Sequence, residues 1–184
     1  MILQPTQNTV QVESDTNIFA NIELLQNLSL TIGSLTNAQY VWQYDKSASS
    51  IGKHIRHIID HYNCFFKHLA QAYIDYDDRT RENAVETKTH QACKELSNII
   101  LQLGKFNAHQ AKPIRIYITA TPDTNPEPAA SSLQRELLFL QSHTIHHMAV
   151  IQLLLNRIGI SVDTSFALAP SPASYNQSVA NHHA

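Results

Sequence analysis

Histidine is the residue type in this 184-residue chain whose placement could do chemistry: three of the 11 fall between positions 54 and 61, and three between 143 and 147. An α-helix has 3.6 residues per turn, so His143 and His147 project from one face a turn apart and can chelate a single ion. His146 points about 100° away from His147 and belongs to another face. His54, His57 and His61, spaced i, i+3 and i+7, also run along one side of a helix. Neutral imidazoles suit zinc, nickel, copper or ferrous iron, and three of them leave positions for water or substrate, unlike a closed four-ligand structural site. A histidine pair at i, i+4 is ordinary by itself. Two clusters on two separate apolar helices are less so, because helical bundles build metal sites from facing helices, and buried imidazoles otherwise each need a hydrogen-bond partner. Spacing makes His143 and His147 the firm pair and leaves the third ligand open among their neighbours.

Helices must position these groups. From Asp15 to about Gln43, the residues Ile18, Phe19, Ile22, Leu25, Leu28, Ile32 and Leu35 form a helical stripe, with Ser14 or Asp15 as its cap. Ser47 to Ser50 break the pattern and cap a second helix, whose broad apolar face holds Ile51, Ile55, Ile58, Ile59, Tyr62, Phe65, Phe66 and Leu69 and which carries the first histidine cluster. Residues Asp75 to Arg81 are too polar for a core and predict a surface connection. A third helix is expected from about Thr87 to Leu103, ended by Gly104. Ile114, Ile116 and Ile118 alternate with polar or amphipathic residues, which predicts a short extended segment near 113–119, with residues 105 to 112 as a conceivable partner. The proline-containing stretch 121–132 is expected to be a loop ending in a Ser131 or Ser132 cap, and the last helix to run from there to about Ile158, before Gly159. The tail from Ser161, with His182 and His183, has no sustained periodicity.

Length and composition fit one domain over 1–184, with a bundle at about 15–160 and irregular ends; 43% of residues are hydrophobic. The net charge is −2, and the 13 basic residues form no patch suited to a polyanion, so no nucleic-acid partner is expected. No segment has the apolar length to span a bilayer, and the N-terminus has neither the basic nor the apolar region of a secretion signal, so no membrane partner and a cytoplasmic location are expected. Cys64 and Cys93 lie within helical patterns, away from any CxxC spacing, and predict buried free thiols.

The segments Ser50–His61 and Glu136–His147 resemble the two signature helices of the DinB-like superfamily, which includes the YfiT-type metal-dependent hydrolases. The resemblance implies an all-α, up-down four-helix bundle whose metal is held by one histidine of the second helix and an HxxxH pair of the last long helix. It covers residues 15 to 160 in element order, but only these two segments, about thirty residues together, are motif-like. His57-Ile58-Ile59-Asp60 matches the family's His-hydrophobic-small/hydrophobic-Asp pattern, so the resemblance, not the spacing, selects His57 as third ligand beside His143 and His147. His54 and His61 become second choices. Where many members continue with Arg-Gly-Gln, this chain has Met148-Ala149-Val150. The stretch with Tyr76, Asp77, Arg79 and Arg81 is also similar to a DinB-like subgroup, without an assignable role.

Asp60, one turn from His57, is a candidate second-sphere acceptor for a ligand imidazole; His61 is a candidate fourth ligand, proton shuttle or core histidine. Glu136 is either a base near the metal or a first-turn glutamate favoured by the helix dipole. No catalytic residue is assigned. The expected function is a metalloenzyme using a divalent ion, zinc or nickel first and iron next, as a Lewis acid. The resemblance offers two chemistries, a hydrolase and a small-thiol-dependent transferase. A low-molecular-weight thiol is then a partner beside a small-molecule substrate, and an open apolar face would support a homodimer. The contrasting expectation is a non-catalytic metal-binding or interaction bundle with a vestigial site.

Overall fold

The computed structural model describes residues 7–69, 71–79, 83–106, 113–117 and 128–168. In chain order the elements are α1 (Gln7–Gly33), α2 (Asn37–Tyr40), α3 (Ile51–Leu69), β1 (Tyr73–Asp75), α4 (Asn83–Thr87), α5 (Thr89–Lys105), β2 (Ile114–Tyr117), β3 (Ala129–Ser131) and α6 (Leu133–Arg157). The fold is mostly helical. Among the long helices, α1 packs on α5 and α6, and α3 packs on the same two. Their buried faces supply one core, including Leu25, Leu28 and Ile32 of α1, Ile55, Ile58 and Phe65 of α3, Leu96 and Ile99 of α5, and Leu137, Met148 and Ile151 of α6.

Local chemistry explains the helix starts. Ser50 Oγ accepts a hydrogen bond from Lys53 N at 3.2 Å, and Ser132 Oγ accepts one from Arg135 N at 3.2 Å, each satisfying a first-turn donor of the helix it precedes. Gly159, with φ of +77°, lets the chain leave α6. Other boundaries differ from expectation. The first helix begins at Gln7, upstream of Asp15 and its supposed cap, and ends at Gly33; Thr36 then nucleates the separate α2 through a capping box with Gln39. Gly104 lies inside α5 rather than ending it, and Phe106 is the cap residue.

The all-α expectation needs one correction, a three-stranded sheet in the order β1-β2-β3. The extended segment near 113–119 is its central strand in the described part, 114–117, running parallel to β1 and antiparallel to β3. Its partners are therefore Tyr73–Asp75, whose last residue opens the stretch read as a connection, and Ala129–Ser131, from the stretch read as a loop; of the suggested partner 105–112, residues 107–112 lie outside the described residues. Strands of three or four residues are too short to print a legible alternation. Asp75 is in β1, and Tyr76 beyond it is buried, so the stretch expected to be pure surface contributes to the core. Thr80, Arg81, Ile118, Thr119 and the C-terminal histidines lie outside the described residues. Among those described, no helix is long and apolar enough to cross a membrane.

Candidate metal centre

The two histidine clusters meet where α3 packs on α6. On each helix the histidines stand one residue before buried positions: His54 before Ile55, His57 before Ile58, His143 before Thr144 and His147 before Met148. One residue is about 100° of helical rotation, so the imidazoles fall on the flank of the buried stripe. The core fixes the backbone beneath them while the rings stay half-buried at its rim.

His57, His143 and His147 each offer a ring nitrogen, and these nitrogens all lie within 4.8 Å of one another. Ring centroids are 4.9 Å apart for His57 and His143, 4.8 Å for His57 and His147, and 4.5 Å for His143 and His147. Nε2 of His143 is buried and has no hydrogen-bond partner. A buried orphan nitrogen is costly, and a bound cation is the kind of partner that would relieve it. The donor set thus fits a divalent ion: three neutral imidazoles with ring nitrogens within 4.8 Å of one another, and a buried nitrogen without a partner on one of these rings.

Two further imidazoles border the three. His54 Nδ1 faces His147 Nδ1 at 3.0 Å. His61 is buried; its Nδ1–H donates to the carbonyl of His57 at 2.8 Å, and its ring lies 4.1 Å from that of His143. The exposed His146 has its ring 5.2 Å from that of His147. Asp60 is buried and lines a cleft with Arg56, Asn63, Cys64, Lys67 and Asp78, to which none of the clustered histidines contributes. In that cleft the Cys64 thiol is pushed up to about 11 by burial first and by Asp60 and Asp78 next, which leaves it protonated and unreactive at neutral pH. Both cysteines are free, Cys64 buried and Cys93 partly so.

Electrostatics keep the three central histidines neutral. His57, His143 and His147 are each lowered to about 3, first by desolvation and then by neighbouring imidazoles, with Arg79 adding to the effect on His57 and His143. Burial lowers His54 and His61 too. Neutral rings retain the lone pairs that ligation needs.

Two residues of the segment after β1 complete the surroundings. Tyr76 stacks on His61 with centroids 5.4 Å apart and donates its hydroxyl to Glu136 Oε2 at 2.8 Å. Glu136 is fully buried and also accepts from Ser131 Oγ and from Arg135 Nη1. It is the first-turn glutamate of α6, as expected, and its burial and hydrogen bonds make it a structural acceptor joining β3 and α6 to Tyr76 rather than a base beside the metal. Arg79 Nη1 lies 3.3 Å from Nδ1 of His57. Spacing had no means of finding this arginine, 22 positions from the ring it touches, because the intervening strand brings it back.

The sequence model of the DinB superfamily matches residues 22–151, a span that contains all three clustered histidines. FK506-binding protein 5 of Rhizopus delemar is 32% identical over 101 residues, covering 53% of this chain and 26% of that protein. The chain thus matches only about a quarter of the length of that curated relative. No solved structure matches it significantly.

Proposed function

The chain belongs to the DinB superfamily, and on that premise we propose that His57, His143 and His147 hold one divalent metal ion in an open site that serves an enzyme. The observation that carries the reading is the convergence of three neutral ring nitrogens within 4.8 Å, with Nε2 of His143 buried and unpartnered. Zinc or nickel suits an all-imidazole set best, and ferrous iron next. A bound ion would supply Lewis acidity toward a small-molecule substrate.

The protein's own residues hold and orient. The three ligands sit at the half-exposed rim of the α3–α6 contact, so reactants reach them without unpacking the core. His54 and His61 brace the ligand rings from outside. In this reading the four long helices are the members of an up-down four-helix bundle, and the small sheet closes one side. The reaction is hydrolysis or transfer to a low-molecular-weight thiol, whose thiolate is a good donor for an open zinc position. The protein acts in the cytoplasm, without nucleic-acid or membrane partners, and an open apolar helix face can serve a homodimer.

Tag-free protein analysed by inductively coupled plasma mass spectrometry is expected to carry a stoichiometric divalent metal, lost in His57→Ala and His143→Ala. Turnover of a panel of electrophiles with and without added small thiols then separates hydrolase from transferase. Absence of metal from the wild type, with both variants indistinguishable from it, would overturn the reading; bound metal without turnover of any electrophile would leave a metal-binding bundle.

A further inference from the structure

Arg79 is bound to the candidate ligand His57 through an atom that cannot serve two partners. A guanidinium only donates hydrogen bonds, so the 3.3 Å contact between Arg79 Nη1 and His57 Nδ1 is a bond only where Nδ1 keeps its lone pair. A neutral imidazole has one lone pair and one N–H. With the lone pair given to Arg79, Nε2 of His57 carries the hydrogen, and neither nitrogen is free to ligate. Coordination by His57, through either nitrogen, therefore requires Arg79 to let go.

The rest of the guanidinium is poorly engaged. Arg79 Nε is buried without a hydrogen-bond partner. Nη2 stands 3.7 Å from Asp77 Oδ1, beyond hydrogen-bond range, and the Asp77 side chain is half exposed. Glu136, the buried carboxylate on this side of α6, is already taken by Tyr76, Ser131 and Arg135. A permanent cation with one buried, unpartnered donor thus lies against a three-imidazole set that contributes no negative charge of its own.

We propose that Arg79 is the receptor for an oxyanion, a carboxylate or phosphate group of the substrate, and that it exchanges His57 for this oxyanion when the metal is loaded. The inference rests on the metal reading above and deepens it by naming the substrate class as a small anion. The planar fork of Arg79 matches carboxylate and phosphate oxygens, and such a group would satisfy the orphan Nε while balancing the positive charge of the site. Arg79 consequently acts in opposite directions on the two ligands: it competes with the metal for His57 and recruits the anion.

The test titrates acetate and inorganic phosphate calorimetrically into zinc-loaded and zinc-free protein, wild type, Arg79→Met and Arg79→Lys, with zinc affinity measured separately against a chelating indicator. Arg79→Met is expected to bind the anions at least about tenfold more weakly, the loss of one charge-assisted hydrogen bond, and to bind zinc at least as tightly as the wild type. Arg79→Lys should retain part of the anion affinity, and the zinc-free wild type should bind anions more weakly than the loaded form. Unchanged anion affinity in Arg79→Met with zinc still bound would overturn the receptor role and leave the metal reading intact. Weaker zinc binding in that variant would make Arg79 a mere positioning group for His57. Should Arg79→Met fail to fold, equal anion binding by loaded and zinc-free wild type would overturn the proposal. Failure of the wild type to take up zinc would sink both readings.

Discussion

His54 and His147 face each other Nδ1 to Nδ1 at 3.0 Å, so one of the two nitrogens must carry hydrogen and the other a lone pair. If His147 is to give Nε2 to a metal, its Nδ1–H must be the donor and His54 the acceptor. His54 then acts as a partner that sets the tautomer of a ligand, a role in which mutation typically lowers metal affinity ~10–100-fold. His54→Ala is expected to weaken zinc binding within that range, and His54→Gln, which restores an acceptor oxygen, to recover part of it. Competition with a chelating indicator measures both; a His54→Ala protein with wild-type zinc affinity would remove this role.

The depressed histidines make the metal-free protein acid-sensitive, and the sign follows from proton counting. His57, His143 and His147 are held to about 3 in the folded chain, against an ordinary value of about 6.5 when unfolded. Between these limits the unfolded state binds more protons, so stability falls as the pH drops below about 6.5. Asp45, Asp78 and Asp163, whose carboxyls are lowered by hydrogen bonds, begin to contribute only near the carboxylate range, about pH 4. The window from pH 7 to 5 therefore belongs mainly to the histidines. Urea midpoints of metal-free protein should decline steadily across it, and less steeply in His143→Asn; a flat profile from pH 7 to 5 would contradict the neutral, desolvated cluster.

Much of this arrangement was legible in the residue pattern. The helical period laid His143 beside His147 and carried the apolar stripes of α3, α5 and α6, and Ser50 and Ser132 marked their starts because a cap is a local interaction. Choosing His57 over His54 and His61 was beyond spacing, since all three lie on one side of α3; the family resemblance made that choice, and ring nitrogens of His57, His143 and His147 lie within 4.8 Å of one another. The sheet was missed because pairing of Tyr73–Asp75 with Ile114–Tyr117 is non-local and its edge strands are too short to carry a pattern. The roles of Tyr76, Arg79 and Glu136 were hidden for the same reason, as each depends on what a distant element brings against it.

A buried polar layer beneath the site offers a separate test of packing. Tyr62 donates its hydroxyl to Asn21 Oδ1 at 2.6 Å, and Asn21 Nδ2 donates to the carbonyl of Leu137 at 3.1 Å, so α1, α3 and α6 are tied together six residues before His143. Asn21 and Tyr62 are fully buried. Tyr62→Phe keeps the ring but leaves Asn21 Oδ1 without this donor, a loss of about 1–3 kcal/mol. Chemical denaturation should register it as a lower midpoint at unchanged slope. The double variant Tyr62→Phe/Asn21→Leu should lose less than the sum of its parts, because the orphaned oxygen is gone.

Gly52 sets how closely α4 approaches α3. A Cβ built at Gly52 would stand 2.0 Å from the backbone oxygen of Glu86 and 2.9 Å from the Tyr40 ring. Neither neighbour is free to retreat: Arg56 Nε pairs with Glu86 Oε2 at 2.9 Å, and Tyr40 is buried with its hydroxyl donating to the carbonyl of Val85 at 2.9 Å. In an exposed helix, glycine to alanine gains roughly 0.5–1 kcal/mol of helix propensity. Here overpacking, typically ~1–3 kcal/mol and more where backbone must move, outweighs it. Gly52→Ala is therefore expected to destabilise the fold, whereas Gly104→Ala, where a Cβ meets nothing within 4 Å inside α5, should stabilise it. Thermal or urea unfolding of the two variants compares the same chemical change at a crowded and an open position. A Gly52→Ala protein as stable as Gly104→Ala would mean that α4 does not press on α3 as closely as the geometry requires.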